Sequence, residues 1–210
     1  MLSIERQFLF LHIPKTGGNS IQDLLRPLSD DRLVCLAPHQ DGIERFELRS
    51  NRYRTQKHST LAEYHREYGA ELFDSLFRFT CTRNPWDRVV SFYFSPHRGR
   101  VQWTREDFLR FIPTVPATRE YLALPGDAAP TLAVAARNVH RILRFEHLQD
   151  DFNAVCSTIG IASQELPRRN RSEREGYRKY YDDETRALVT QRFRDEIEFF
   201  GYTFEHPDVP

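Results

Sequence analysis

The residues best suited to chemistry in this chain lie together in one run, residues 14–20, with the sequence Pro-Lys-Thr-Gly-Gly-Asn-Ser. An apolar run at residues 7–11 precedes it and predicts a buried strand, and leucine and isoleucine at helical spacing follow it. A loop between a strand and a helix N-terminus gathers unpaired backbone N–H groups, which suit a phosphate or sulfate. The predicted ligands of such an anion are Lys15, Thr16, Gly17, Gly18, Asn19 and Ser20.

The types of residue in this loop suit an anion site. Lysine supplies a mobile point charge, paired glycines let the backbone come close to the anion, and the hydroxyl and amide side chains add hydrogen-bond donors. The order differs from that of the nucleotide-binding Walker A loop, G-x-x-x-x-G-K-[ST], because Lys15 precedes the glycines. An ordinary turn capped by polar residues is the alternative interpretation.

A second run, residues 83–91, repeats this layout after another predicted strand. Asn84 is a suitable N-cap, and the proline after it suits the first helical position. Arg83 would then lie at the carboxyl end of the strand, while Arg88 and Ser91 share a face of the helix. The spacing predicts that Arg83, Arg88 and Ser91 converge on a second anion.

Both runs resemble the sulfotransferases that use 3′-phosphoadenosine 5′-phosphosulfate (PAPS), particularly the carbohydrate sulfotransferases of the family 2 type. The first run is similar to their 5′-phosphosulfate loop, and Arg-Asn-Pro-Trp-Asp-Arg in the second to their 3′-phosphate-binding segment. The resemblance implies that Arg83 and Ser91 bind the 3′-phosphate, and that Lys15 is catalytic and stabilises charge on the bridging oxygen. It also implies that residues 168–179 fold over the nucleotide, with Arg174 or Arg178 as a contact and Tyr177 as a neighbour of the base.

An acceptor hydroxyl needs a base that works near neutrality, and the ordinary pKa of histidine is about 6.5. His58 is the predicted base, because its Lys-His-Ser-Thr context is similar to the histidine segment of the family's polysaccharide enzymes. Glu63 is the reserve base, since related sulfotransferases also use a helical glutamate. The local sequence also predicts a helix capped by Ser59 or Thr60, with Glu63 completing a capping box. The basic residues at 49–58 form either a solvated loop or a cleft edge that guides an anionic acceptor or the leaving nucleotide.

Alternating strand and helix patterns predict an α/β fold, a single P-loop-like domain over residues 1–210 with a central parallel sheet and helices on both faces. Ligands then bind beyond the carboxyl ends of the strands. The resemblance implies that residues 96–138 are a variable insert on the acceptor side. Other predicted elements are strands at 32–36, 78–82 and 139–145, a polar connection with helical character at 38–48, a helix that Gly69 ends, and a last helix from Asp182 or Asp183 to Gly201. Glu146 is predicted to be a structural carboxylate that ties the start of a helix to a neighbouring cation.

Composition limits the partners and the compartment. Acidic and basic residues balance at 30 each, which indicates neither nucleic acid nor a membrane surface as a partner. The apolar run near the N-terminus is too short for a signal peptide or a membrane span, which predicts a cytoplasmic protein. Three cysteines in apolar surroundings are typical of reduced core residues, and no cysteine and histidine pair has the spacing of a zinc site. The sequence makes no prediction of the oligomeric state.

The resemblance favours a carbohydrate hydroxyl as acceptor, with a small alcohol or phenol as the second choice, and implies no requirement for a metal. Two other functions fit parts of the sequence. A P-loop nucleotide kinase or phosphotransferase would share the fold, but the position of the lysine and the missing Walker B acid argue against it. A nucleic-acid-binding protein would use the basic segment at 168–179.

Overall fold

The computed structural model describes residues 1–36, 45–95, 98–99, 101–127, 131–167 and 175–205. The strands are β1 (Leu2–Ser3), β2 (Phe8–Leu11), β3 (Arg32–Leu36), β4 (Arg45–Arg49), β5 (Phe77–Thr82) and β6 (Arg141–Arg144). The α-helices are α1 (Gly18–Leu25), α2 (Leu61–Ser75), α3 (Pro85–Tyr93), α4 (Arg105–Phe111), α5 (Thr118–Leu122), α6 (Leu132–Ala135), α7 (Leu148–Thr158), α8 (Asp183–Arg192) and α9 (Arg194–Phe200). Within these ranges, no helix has the length and apolar character needed to cross a membrane.

The central sheet has four strands in the order β1-β2-β5-β6. The strands β2, β5 and β6 are parallel, and β1 adds an antiparallel edge beside β2. The register pairs Leu11 with Thr80 and Thr82 with Arg144, so the carboxyl ends of the three parallel strands lie along one edge. The predicted α/β fold with a mostly parallel sheet is confirmed.

Helices cover both faces of this sheet because successive side chains of a strand point to opposite faces. Phe8 and Phe10 of β2 pack with apolar residues of α1 and α7. Leu9 and Leu11 of the same strand pack with residues of α2, α5 and α6 on the other face. All four side chains are fully buried, which makes β2 the centre of the core and fixes the loop that follows it.

A third buried cluster holds α3, which carries most of the second predicted motif. Val89, Val90 and Tyr93 of α3 pack with Phe108 of α4 and with Phe193, the residue between α8 and α9. The rings of Tyr93 and Phe108 meet edge to face, with centroids 5.2 Å apart. The C-terminal part of the chain therefore supports the helix on which the second motif depends.

Several local predictions differ from the structure. The strand predicted at residues 32–36 forms, but β3 pairs antiparallel with β4 in a separate two-stranded sheet. The helical character predicted for 38–48 is wrong at 45–48, which belong to β4, and residues 37–44 lie outside the described ranges. At Gly69 the helical conformation is interrupted, with φ at 74°, but a second helical segment continues α2 to Ser75 beyond this kink. The last helix starts after the Asp182 cap and ends at Gly201 as predicted, but it breaks at Phe193.

Candidate active site

The loop between β2 and α1 has the predicted strand-loop-helix geometry. Two of its residues adopt left-handed backbone conformations, Lys15 with φ at 67° and Gly17 with φ at 86°. The second of these is the N-cap of α1, so the helix begins at Gly18. The hydroxyl of Thr16 is buried and donates a hydrogen bond to the carbonyl of Ile13 at 2.8 Å. The side chain of Thr16 therefore braces the loop, and the prediction that its hydroxyl contacts the anion is not supported.

At both glycines of the loop, neighbouring side chains leave no room for a Cβ. A Cβ on Gly17 would lie 2.8 Å from the ring of Phe145 and 2.9 Å from Leu148. A Cβ on Gly18 would lie 2.3 Å from Cδ2 of His12, well inside van der Waals contact. The sequence explained these glycines by close approach to an anion. The structure adds a second reason for glycine at these positions, because the side of the loop that packs on the rest of the protein has no room for a side chain.

The second motif meets the first through Arg83. Nε and Nη2 of Arg83 bond Oδ2 of Asp87 at 2.8 and 2.6 Å, and the guanidinium lies 4.0 Å above the ring of Phe145. This leaves Nη1 within 3.4 Å of the hydroxyl of Ser91 and 3.3 Å of the carbonyl of Lys15. Asn84 caps α3 as predicted, because its side chain accepts a hydrogen bond from the backbone N–H of Trp86. The structure thus brings Arg83, Ser91 and the lysine loop together.

Arg88 takes a different direction from the one predicted. Its side chain is 1% exposed, and its Nε donates a hydrogen bond to the carbonyl of Pro14 at 3.2 Å. Nη1 lies 3.8 Å from Oε1 of Glu196, which is equally buried. Burial lowers the pKa of Arg88, and the carboxylate of Glu196 opposes that shift. The prediction that Arg88 shares an anion with Arg83 and Ser91 is wrong, because helix α3 turns this side chain beneath the loop.

His58 lies against the end of β2, next to the lysine loop. Its Nδ1 is 2.9 Å from the carbonyl oxygen of His12. A carbonyl only accepts, so Nδ1 of His58 carries the proton, and in the neutral ring Nε2 has the lone pair. The rings of the two histidines stand 4.7 Å apart, edge to face. His58 is exposed, whereas burial lowers the pKa of His12 well below its ordinary value, and His58 and Lys57 lower it further.

The lysine loop, Arg83 after β5, Ser91 of α3 and the exposed His58 all lie at the carboxyl edge of one parallel sheet. This is the edge where ligands of α/β proteins bind. A family model described as the sulfotransferase family matches residues 1–203. The chain belongs to the sulfotransferase family. No curated protein and no solved structure matches the chain significantly. The family match confirms the resemblance drawn from the two motifs.

Glu63, which is predicted as the reserve base, has a structural role in this sulfotransferase. Its Oε2 accepts hydrogen bonds from the backbone N–H of Thr60 at 2.6 Å and from the hydroxyl of the same residue at 3.3 Å. The Thr60 hydroxyl accepts in return from the backbone N–H of Glu63, which confirms the capping box. The carboxylate is therefore engaged at the start of α2. This favours His58 over Glu63 as the base.

The predicted nucleotide contacts in the C-terminal segment have different outcomes, and Arg178 is exposed. Tyr177 is 1% exposed, its ring packs against Phe204, and its hydroxyl donates to the carbonyl of Phe204 at 2.6 Å. It is therefore a core residue with no face for a nucleotide base, and that assignment is wrong. Arg174 lies outside the described residues.

Two residues that follow β6, the third parallel strand, join the candidate site. Glu146 accepts hydrogen bonds from the backbone N–H of Asn84 at 2.7 Å and from the hydroxyl of Tyr202 at 3.0 Å. It is a structural carboxylate as predicted, but its partners here are neutral groups rather than the cation that was expected. Phe145, which sequence reasoning missed, touches both motifs, through Gly17 and Arg83. Its position at the end of a parallel strand was the available signal.

Proposed function

We propose that this sulfotransferase moves a sulfuryl group from PAPS to a hydroxyl of a carbohydrate acceptor. Membership of the family supports sulfuryl transfer in general. The observation that carries the proposal for PAPS is the position of Arg83, whose Nη1 is within 3.4 Å of Ser91 and 3.3 Å of the Lys15 carbonyl. Two anion sites in contact suit a nucleotide with phosphate on both its 3′ and 5′ positions. ATP has no 3′-phosphate.

The residues present fit such a sulfuryl donor. The start of α1 offers backbone N–H groups for the 5′-phosphosulfate, where Lys15, Asn19 and Ser20 add a cation and side-chain hydrogen-bond donors. Arg83 and Ser91 supply a guanidinium and a hydroxyl for the 3′-phosphate. When bound, PAPS supplies an activated sulfuryl group, and 3′-phosphoadenosine 5′-phosphate (PAP) is the product.

Two residues of the chain act on the transfer. Lys15 stabilises negative charge that develops on the oxygen between phosphorus and sulfur, where a cation lowers the barrier most. Nε2 of His58 accepts the proton of the acceptor hydroxyl, because Nδ1 already donates to the carbonyl of His12 at 2.9 Å. That hydrogen bond also orients the ring beside the lysine loop. The two roles require no other titratable group.

The carbohydrate acceptor is proposed from the family resemblance, with a small alcohol or phenol as the alternative. Arg49, Arg52 and Arg54 are exposed on the segment that leads to His58. Such a basic surface attracts an acceptor that itself carries negative charge. An acidic sugar chain is therefore the first class to screen.

A titration with PAP, ADP and AMP in the absence of magnesium tests the proposal. Selective stabilisation by PAP is expected, amounting to about 2.7 kcal/mol at a hundredfold excess over Kd. Arg83→Gln should lose roughly 1.5–3 kcal/mol of PAP binding. Arg98→Gln is a matched control, because Arg98 also stacks on an aromatic ring (Tyr93, 4.4 Å) and pairs with an aspartate (Asp107, 3.0 Å). Equal or tighter binding of ADP would overturn the proposal in favour of a kinase.

A further inference from the structure

Two different arginines hold the peptide groups on either side of Lys15. The carbonyl of Pro14, in the peptide before Lys15, accepts from Nε of Arg88 at 3.2 Å. The carbonyl of Lys15, in the peptide after it, accepts from Nη1 of Arg83 at 3.3 Å. Rotation of these two peptide planes about the Cα of Lys15 defines its φ and ψ. The two arginines therefore act together on the backbone conformation of a single residue.

That conformation needs external support. The φ of Lys15 is 67°, in the left-handed region, where contact between Cβ and the backbone is unfavourable for any residue except glycine. Among the described residues only Gln7 shares this property without being glycine. A strained backbone persists where the surrounding structure determines it more strongly than local preference. At Lys15 the two arginine hydrogen bonds supply that determination.

Arg88 is itself anchored on a buried network. Oε1 of Glu196, 3.8 Å from Nη1 of Arg88, accepts from the hydroxyl of Thr118 at 2.5 Å and from that of Thr82 at 3.1 Å. Oε2 accepts from the backbone N–H of Thr118 at 3.2 Å. Because these partners belong to β5 and α5, two elements other than its own helix α9 hold the carboxylate in place. Glu196 therefore offers a rigid counter-charge for Arg88.

We propose that Arg88 is a positioning residue that, with Arg83, imposes the left-handed conformation of Lys15 and so sets the direction of its ammonium group. Arg88 does not contact a bound nucleotide in this proposal and acts only through the loop. The effect on turnover rests on the proposed role of Lys15. The effect on the lysine itself does not, and this separation allows the two to be tested independently.

The variants are chosen so that loss of folding does not confuse the result. Arg88→Met alone leaves Glu196 as an unpaired buried charge, which is strongly destabilising. Arg88→Met combined with Glu196→Gln removes both charges and preserves the volume. Arg88→Lys keeps the charge beside Glu196 but lacks the planar Nε that donates to Pro14. The matched control is Arg192→Met, because Nε and Nη2 of Arg192 also bond one carbonyl, that of Val115.

The first measurement reads the lysine directly. The chain contains three lysines, Lys15, Lys57 and Lys179, so reductive methylation with ¹³C-formaldehyde yields three lysine signals beside that of the N-terminal amine. We expect the Lys15 signal of the free protein to shift in the double variant and in Arg88→Lys, in which the new lysine adds a fourth signal, and to stay in place in Arg192→Met. The other two lysine signals serve as internal references. An unmoved Lys15 signal in folded double variant and in Arg88→Lys would overturn the proposal.

The second measurement reads transfer and nucleotide binding on unlabelled protein. The double variant should bind PAP within about threefold of the wild type and lose roughly tenfold to a hundredfold in kcat, since a small misplacement of a catalytic group has that effect. Full kcat in the double variant would show that Arg88 is only a structural partner of Glu196. If the wild type fails to bind PAP, the proposed function fails, while the lysine signal still decides the positioning role.

Discussion

Replacing Gly18 by alanine would place a methyl group where the ring of His12 lies. A Cβ on Gly18 would stand 2.3 Å from Cδ2 of His12, about 1 Å inside ordinary van der Waals contact. The ring has little freedom to move aside. It stacks on Phe10 with centroids 5.9 Å apart and meets the ring of His58 at 4.7 Å. Its Nδ1 also lies 2.8 Å from Oε1 of Gln22.

The expected loss of stability follows from these contacts. Overpacking of a buried site costs about 1–3 kcal/mol, and loss of the hydrogen bond to Gln22 adds about 1 kcal/mol. The greater helix propensity of alanine offsets at most about 1 kcal/mol, because Gly18 begins α1. The net loss in the free energy of unfolding is about 2 kcal/mol. For a domain of this size that lowers Tm by about 4–8 °C.

Thermal melting and urea denaturation measure this loss, and two comparisons identify its cause. Gly160→Ala measures left-handed strain without a clash, since Gly160 has φ at 70° and open space around its Cβ, whereas Gly18 has no positive φ and its loss comes from the contact with His12. Gly160→Ala should cost only about 1–2 kcal/mol of left-handed strain. His12→Ala removes the obstructing ring. The loss in Gly18→Ala combined with His12→Ala should then fall short of the sum of the single losses by about 1 kcal/mol or more.

The same substitution should affect transfer through His58. A displaced His12 ring pushes on the ring of His58 and disturbs its hydrogen bond to the His12 carbonyl. Turnover should therefore fall more than PAP affinity does. The reasoning is refuted if Gly18→Ala melts with the wild type, or if the losses from Gly18→Ala and His12→Ala simply add.

Two further predictions concern the histidines. His58→Asn preserves a hydrogen-bond donor for the His12 carbonyl but removes the proposed base, so the rate of transfer should fall by about 10²–10⁴ while PAP binding is retained. Glu63→Gln should keep most of the activity. The reverse pattern in an acceptor assay would make Glu63 the base. Burial lowers the pKa of His12 in the folded protein, so below about pH 6.5 the unfolded state binds a proton on His12 that the folded state does not. The free energy of unfolding should therefore be greatest above about pH 6.5 and fall below it by up to about 1.4 kcal/mol per pH unit. Urea denaturation between pH 7.5 and 5.5 measures that slope, and an equal slope in His12→Gln would assign it to other groups.

Features set by neighbouring residues could be predicted from the sequence. The capping box at Thr60 and Glu63 and the Asn84 cap depend on residues within one turn, and both are present. The predicted capping box engages the carboxylate of Glu63, and that contact competes with its other predicted role as reserve base. Local pattern also placed Lys15 and Arg83 correctly at the ends of two strands.

Features set by distant parts of the chain could not be predicted. Arg88 and Ser91 share a helix face in projection, but the burial of Arg88 depends on a carboxylate from α9. Tyr177 occurs in a basic segment and was predicted to contact a ligand, yet it contributes to the cluster that supports α3. The antiparallel pairing of β3 with β4 is likewise a tertiary choice. In each case the alternatives differ only in long-range packing.

The position of Glu196 late in the chain has a consequence for the order of folding. This carboxylate bonds Thr82, which precedes it by 114 residues, and it balances the charge of Arg88. On the ribosome, β2, β5 and the lysine loop are synthesised well before α9, and until α9 docks the guanidinium has no buried counter-charge. Nascent chains that stop before α9 should therefore remain sensitive to protease around residues 14–18. The lysine loop therefore reaches its final conformation only after α9 has been made and has docked.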